Sequence, residues 1–265
     1  MKVAAIQLCS SHVCADNQQR AETLIRQAAA AGAELVLLPE YWPLMGMQDS
    51  DKLDLAEDYA AGPLQAWMAQ LAAQLKIILV GGTIPLRSPE ASQVYNTTLV
   101  YGKDGQELAR YDKIHLFGFQ KGSESYDERR SILAGQTPVS FECELGKVVL
   151  AICYDLRFPE LFRQFDEAAL IVLPAAFTYT TGQAHWEVLL KARAIENQCF
   201  VLASAQAGSH SNGRKTWGHS LALDPWGRTL AELAEGEGYL ITELNLELLQ
   251  EIRQNLPALK HRQLR

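Results

Sequence analysis

Apolar positions along the chain follow two rhythms. VAAIQLC near the start is a nearly continuous apolar run, whereas ADNQQRAETLIRQAAAAG at 15–32 sets Ala21, Leu24, Ile25 and Ala28 on one helical face before Gly32 stops it. Asp16 and Gln19 have capping-box spacing, which predicts the start of that helix. ELVLLP is again a short continuous run, the signature of a strand buried on both faces, and Pro39 breaks it. Strand, helix and strand therefore fall within the first 40 residues. PLQAWMAQLAAQLK at 63–76 predicts a second helix, ahead of the run IILVGGTI.

The pattern then changes. VYNTTLVYG and QELARYDK flank Asp104-Gly105, which predicts a hairpin. FECELGKVVLAIC, turning at Gly146, and HSLALDPWGRTLAEL, turning at Pro225, Trp226 and Gly227, predict two more. Between them ELFRQFDEA, ALIVLP, AHWEVLLKARAIENQ and CFVLASAQ resume helix and strand alternation, and GYLITELN and LELLQEIRQNL close the chain with a strand and a helix. Residues 114–136, rich in Gly, Ser, Glu and Arg, read as one long loop of the kind that carries function. No linker, low-complexity segment or charge run divides the chain, so one domain over 1–265 is expected. The mixture predicts an α/β fold whose many mixed strands form two packed sheets, with helices on the outer faces.

Composition narrows the function more than the fold. Apolar residues at 48% and charged residues at 21% are ordinary for a globular protein. A formal net charge of -7 argues against nucleic acid or an anionic membrane as partner, since no basic face is available to neutralise phosphates. Five cysteines, Cys9, Cys14, Cys143, Cys153 and Cys199, are an odd set without a CxxC pair, so neither a disulfide framework nor a metal site is indicated and a reducing, cytoplasmic setting is expected. No apolar run approaches the ~18 residues of a membrane span, and the N-terminal run reads as a strand rather than a leader.

Three reactive side chains share one kind of position. Glu40 follows ELVLLP, Lys113 follows ELARYD and Cys153 follows KVVLAI. Ligand sites of α/β sheets form beyond the carboxyl ends of strands, so these three could meet if their strands are neighbours. Singly each has a plain reading: a buried thiol, a loop carboxylate, a solvated lysine. Together they are chemically complete for acyl transfer, with a sulfur nucleophile, a carboxylate to move its proton and an ammonium to stabilise an oxyanion and favour the thiolate.

At LLPE, YDKIHLF and CYDLRFPE the sequence resembles the nitrilase superfamily of carbon-nitrogen hydrolases, and the likeness extends from VAAIQL to EIRQNLPALKHR. The resemblance implies a four-layer αββα sandwich, a homodimer or higher homo-oligomer, no cofactor and no metal. It implies Glu40 as general base, Lys113 on the oxyanion, Cys153 as nucleophile forming a thioester, the Tyr154 backbone N–H as a further oxyanion donor, and a second glutamate at Glu128, in YDERRSILAG, that positions substrate or Lys113. A surface loop charge is the alternative for Glu128. AHWEVLLKARAIENQ and NLPALKHR are most similar to the deaminated glutathione amidase and omega-amidase branch, so hydrolysis of a small carboxylate-bearing amide to acid plus ammonia is expected. An N-carbamoyl amine hydrolase, a nitrilase and a catalytically silent binding protein on the same fold are the alternatives. Arg157 is placed to pair with a substrate carboxylate, or else with Asp155 or Glu160. Phe177 and Thr178, after ALIVLP, are pocket candidates by the end-of-strand argument. Trp186, Leu189, Leu190 and Ala194 have core spacing, so packing is expected of Trp186.

Overall fold

The computed structural model describes residues 1–122 and 124–263. The first half supplies β1 (Lys2–Gln7), α1 (Cys14–Ala30), β2 (Leu35–Leu37), α2 (Asp51–Leu55), α3 (Pro63–Leu75), β3 (Ile78–Val80), β4 (Ile84–Arg87), β5 (Val94–Tyr101) and β6 (Glu107–Asp112). A small hairpin, β7 (Gly118–Lys121) and β8 (Glu124–Asp127), precedes β9 (Ser140–Cys143), β10 (Gly146–Leu150), α4 (Pro159–Phe162), β11 (Leu170–Ala175), α5 (Tyr179–Asn197) and β12 (Phe200–Ala205). The remainder is β13 (Ala207–Ser209), β14 (Lys215–Trp217), β15 (Ser220–Leu223), β16 (Thr229–Leu233), β17 (Gly238–Glu243) and α6 (Leu246–Asn255).

Among the described residues two mixed sheets dominate. One runs β17-β1-β2-β3-β5-β4, with β6 on the other side of β5, and the second runs β16-β15-β12-β11-β10-β9. Side-chain alternation in β1 sorts its residues between layers. Val3 and Ala5 face the second sheet beside Leu35, Leu37, Val148 and Leu150. Ala4 and Ile6 face α1 and α3, against Ala21, Ile25 and Met68. Helix α5 covers the far side of the second sheet through Trp186, Leu190 and Ala194. The fold is thus the four-layer αββα sandwich, and each large aliphatic side chain moved out of water contributes about 1.5–3 kcal/mol to it.

Strand direction decides where the site forms. β1, β2 and β3 are parallel, and two successive antiparallel pairings, β3 with β5 and β5 with β6, return β6 to the same direction. In the other sheet β10, β11 and β12 are parallel, and a parallel bridge from Leu8 to Gln206 aligns the two sheets. The carboxyl ends of β2, β6 and β10 therefore open at one end of the sandwich. They are not neighbours in one sheet, as the end-of-strand argument required, but meet across the gap between two sheets.

Three local expectations change. Helix α1 starts at Cys14 with no side-chain cap, so Asp16 lies within its first turn. The entry is held instead by Asn17, whose side chain accepts from Ser11 N at 2.9 Å and donates to the carbonyls of Ser11 and Pro43 at 2.8 and 2.9 Å. ELFRQFDEA contributes only to the single turn of α4, which starts at Pro159. Residues 114–136 are not one open loop, because β7 and β8 pair within them and a 3-10 turn follows at Glu128–Arg130.

Gly81 and Gly82 separate β3 from β4, which lie on the same side of β5. Gly82 has φ +57, and a Cβ there would sit 2.3 Å from the Pro39 carbonyl oxygen. That carbonyl immediately precedes Glu40. Gly82→Ala is expected to lower unfolding free energy by about 2 kcal/mol or more, read as an earlier midpoint in chemical denaturation; an unchanged midpoint would contradict this packing.

Candidate active site

Glu40 lies three residues past β2 and is 1% exposed. One carboxylate oxygen, Oε1, accepts from Lys113 Nζ at 2.8 Å and from Asn96 Nδ2 at 2.9 Å. The other accepts from Ala176 N, just past β11, at 2.9 Å. Lys113, immediately after β6, is 0% exposed and also donates to Glu128 Oε1 at 2.9 Å. Glu128 accepts from Tyr41 Oη at 2.7 Å through Oε1 and from Phe117 N at 2.7 Å through Oε2. It is a half-buried member of the site, its side chain 14% exposed, and not a surface loop charge. Lys113, which reads in isolation as a solvated lysine, is enclosed by the same network.

Cys153 opens a 3-10 turn, Cys153–Arg157, that follows β10. Its φ is +47, a left-handed conformation that a residue with a Cβ holds only when its surroundings impose it. Asp155 does so. Its two oxygens accept from Ile152 N at 2.8 Å, His115 N at 3.0 Å and Tyr111 Oη at 2.7 Å, and His115 Nδ1 lies 2.7 Å away. His115 in turn stacks on Phe158 with ring centres 3.7 Å apart. The sulfur turn of the second sheet is thereby tied to the end of β6, next to Lys113.

The electrostatics follow from burial. Burial raises the Glu40 carboxyl above its ordinary range and the negative charge of Glu128 adds to this, against the pull of Lys113. Burial works to raise Glu128 as well, but Lys113, the Phe117 N–H and the Tyr41 hydroxyl outweigh it and hold Glu128 below the usual range. For Lys113, burial disfavours the ammonium, yet Glu128 and Glu40 raise it well above the ordinary lysine value. Burial and Glu40 push the Cys153 thiol well above normal, and the downward pull of Lys113 does not compensate. Lys113 alone therefore does not favour a resting thiolate. The sulfur is a thiol, and Glu40, whose charge raises its pKa, is the neighbouring carboxylate able to take its proton.

Glu40, Glu128 and Cys153 face an open cleft of about 770 Å³, counting its mouth, a size suited to a small organic molecule, and Lys113 lies enclosed behind them. Tyr154, Arg157, Phe177 and Thr178 all line it, as do Cys153, Glu40 and Glu128. Arg157 pairs with neither Asp155 nor Glu160. Asp155 is consumed in holding the turn, and Arg157 Nη2 lies 3.2 Å from His185 Nδ1, with its guanidinium over the Tyr154 and Phe177 rings. Thr178 caps α5 by accepting from Thr181 N at 3.3 Å, so it acts as a fixed wall. Trp186 is packed as expected, its Nε1 donating to His219 O at 2.7 Å. Tyr41, Asn96 and Asp155 were not anticipated as site residues. Asn96 was the most legible, being a polar residue inside the run VYNTTLVYG. All five cysteines are free, no group of His, Cys, Asp and Glu among the described residues could hold a metal ion, and no described helix is long and apolar enough to cross a membrane.

Comparison with known proteins agrees with this geometry. The carbon-nitrogen hydrolase family model matches residues 2–254. A deaminated glutathione amidase from Synechocystis is 42% identical over 265 residues, covering 98% of this chain and 97% of that protein. The mouse omega-amidase NIT2 is 37% identical over 273 residues, covering 98% and 94%. The crystal structure of the Caenorhabditis elegans NitFhit protein superposes with a TM-score of 0.91 at 34% identity, covering 99% of this chain and 65% of that one. A match that runs from β1 into α6, on a fold that gathers the same three strand ends into one cleft, makes this chain a member of the carbon-nitrogen hydrolase family.

Proposed function

We propose that the protein is an amidase acting through a thioester on Cys153, with deaminated glutathione as its substrate and the whole chain working as one domain. The observation that carries this reading is the Glu40 carboxylate, which lines the cleft together with Cys153 and is held from beneath by Lys113 at 2.8 Å. As sulfur attacks the amide carbon, Glu40 takes the thiol proton, and the carbonyl electrons move onto oxygen, where the Lys113 ammonium and the Tyr154 N–H stabilise them. Collapse breaks the C–N bond and Glu40 returns the proton to the departing nitrogen. A primary amide releases ammonia; a substituted amide, such as that of deaminated glutathione, releases its amine. Glu40 then deprotonates a water that attacks the thioester, restoring the thiol and freeing the acid. Glu128 holds Lys113 in place, Arg157 receives a substrate carboxylate, and Phe177 and Thr178 form the wall beside it.

We also infer a homodimer in a reducing, cytoplasmic compartment. Val188 and Ile195, seven residues apart on α5, are 62% and 52% exposed, and Trp226 beside them is 52% exposed. The turn at Gly227 abuts Ile195, and exposed apolar side chains gathered on one face are of the kind a second copy would cover.

Three measurements test these readings. The purified protein is expected to release the amine from deaminated glutathione, and Cys153→Ala to abolish that release while keeping the native circular dichroism spectrum. Because Glu40 must be ionised to act and its burial raises its pKa, kcat/KM is expected to fall on acidification at a pH above the ordinary glutamate value of about 4.3. Turnover by Cys153→Ala, or an acid limb at or below that value, would contradict the mechanism. Light scattering is expected to give twice the chain mass, and Val188→Glu to shift it toward the monomer; a monomeric parent protein would dismiss the dimer.

A further inference from the structure

The catalytic cleft has a second lobe. It occupies about 520 Å³, counting its mouth, and shares Tyr41, Met45, Asp49, Lys52 and Arg214 with the first. Its own walls include Thr83, Tyr95, Asn96 and Ile132. Tyr41 stands between the lobes, its backbone following Glu40 and its hydroxyl on Glu128. The nitrogen of a bound amide must face Glu40, which protonates it. A substituent on that nitrogen is therefore led past Tyr41 toward the second lobe, while the acyl chain lies on the side of Arg157 and Phe177.

The cations around the junction differ in how they are occupied. Arg214 is paired with Asp49 at 2.7 Å, and Lys215 lies over the Tyr179 ring at 3.8 Å. Lys52 Nζ, largely withdrawn from solvent, donates to Ser131 Oγ at 2.9 Å and faces the Tyr41 ring, with no carboxylate at ion-pair distance among the described residues. Asp49 and Glu128 act on it only from farther away, and burial lowers its pKa despite them. A half-buried ammonium at a cleft junction, satisfied only by a hydroxyl and a ring face, is suited to receive an anion. One ammonium beside two more distant carboxylates matches a single negative charge better than a dianion.

We propose that Lys52, braced from behind by the buried Ser131 hydroxyl, binds a carboxylate carried on the amine portion of the substrate, so that the preferred substrates are N-substituted amides of an anionic amine, of the amino-acid or peptide class. This rests on the amidase reading and deepens it. With Arg157 on the acyl side, the cleft reads a charge at each end of the molecule, and a primary amide leaves the second lobe and Lys52 unused.

The test compares kcat/KM for deaminated glutathione, its C-terminal carboxamide and the primary γ-amide of the same keto acid. The parent protein is expected to prefer the free acid over the carboxamide by about tenfold or more, the scale of a hydrogen bond to a charged group. In Lys52→Met that ratio is expected to fall toward one, while Lys52→Arg keeps most of it. Any general loss of activity cancels in the ratio, and the arginine variant guards against a folding defect. A ratio unchanged in Lys52→Met, or no preference in the parent, overturns the proposal while leaving the amidase reading intact if the primary amide is still cleaved. Failure to cleave any of the three amides removes the amidase reading and this proposal with it.

Discussion

The site depends on one positive charge without access to water. Lys113 is fully enclosed, and an ammonium so placed loses hydration worth several kcal/mol that only close, well-oriented counter-charges offset. Glu40 and Glu128 supply them at 2.8 and 2.9 Å. The dependence runs both ways, because two carboxylates in one dry site repel unless a cation lies between them. Further carboxylate lone pairs accept from Asn96, Ala176 N, Tyr41 and Phe117 N, so neither acid is free to rotate. These donors come from separate segments of the chain. The charge network therefore exists only when both sheets, and the hairpin between them, are in place.

The nucleophile is placed by a second, largely separate device. Asp155 ties the turn after β10 to Tyr111 and His115, and this holds Cys153 in a backbone conformation it would not keep in isolation. The two devices meet at the sulfur. Asp155 sets where it lies, and the carboxylate-lysine network sets its protonation. Gln206 connects them to the sandwich itself, since its side chain donates to both Ser10 Oγ and the Glu40 carbonyl at the seam between the sheets.

The layered fold was legible because its elements carry local signals: continuous apolar runs for β2, β11 and β12, helical spacing in α1 and α3, Asp-Gly and Gly146 at hairpin turns. Glu40, Lys113 and Cys153 were legible as candidates because each follows a strand. Their meeting was not, since it arises from strand direction in two sheets that no short-range pattern encodes. The segment around β7 and β8 was misread as open loop. Its alternation is polar, and its order comes from distant rings, Phe117 on Tyr154 and Arg214 on Tyr126. Glu128, followed by Arg129 and Arg130, has the local look of an exposed turn, and only the resemblance to carbon-nitrogen hydrolases singled it out. Tyr41, Asp155 and Lys52 act through partners far along the chain, which leaves no local trace.

The mechanism turns on Cys153, deprotonated by Glu40, carrying the acyl group. The most direct measurement is peptide mass spectrometry of the enzyme quenched in acid during turnover of a slowly deacylated amide or ester. The acyl mass is expected on Cys153 and on none of Cys9, Cys14, Cys143 or Cys199. Release of amine with Cys153 unmodified throughout, or an acyl group on another residue, would contradict it.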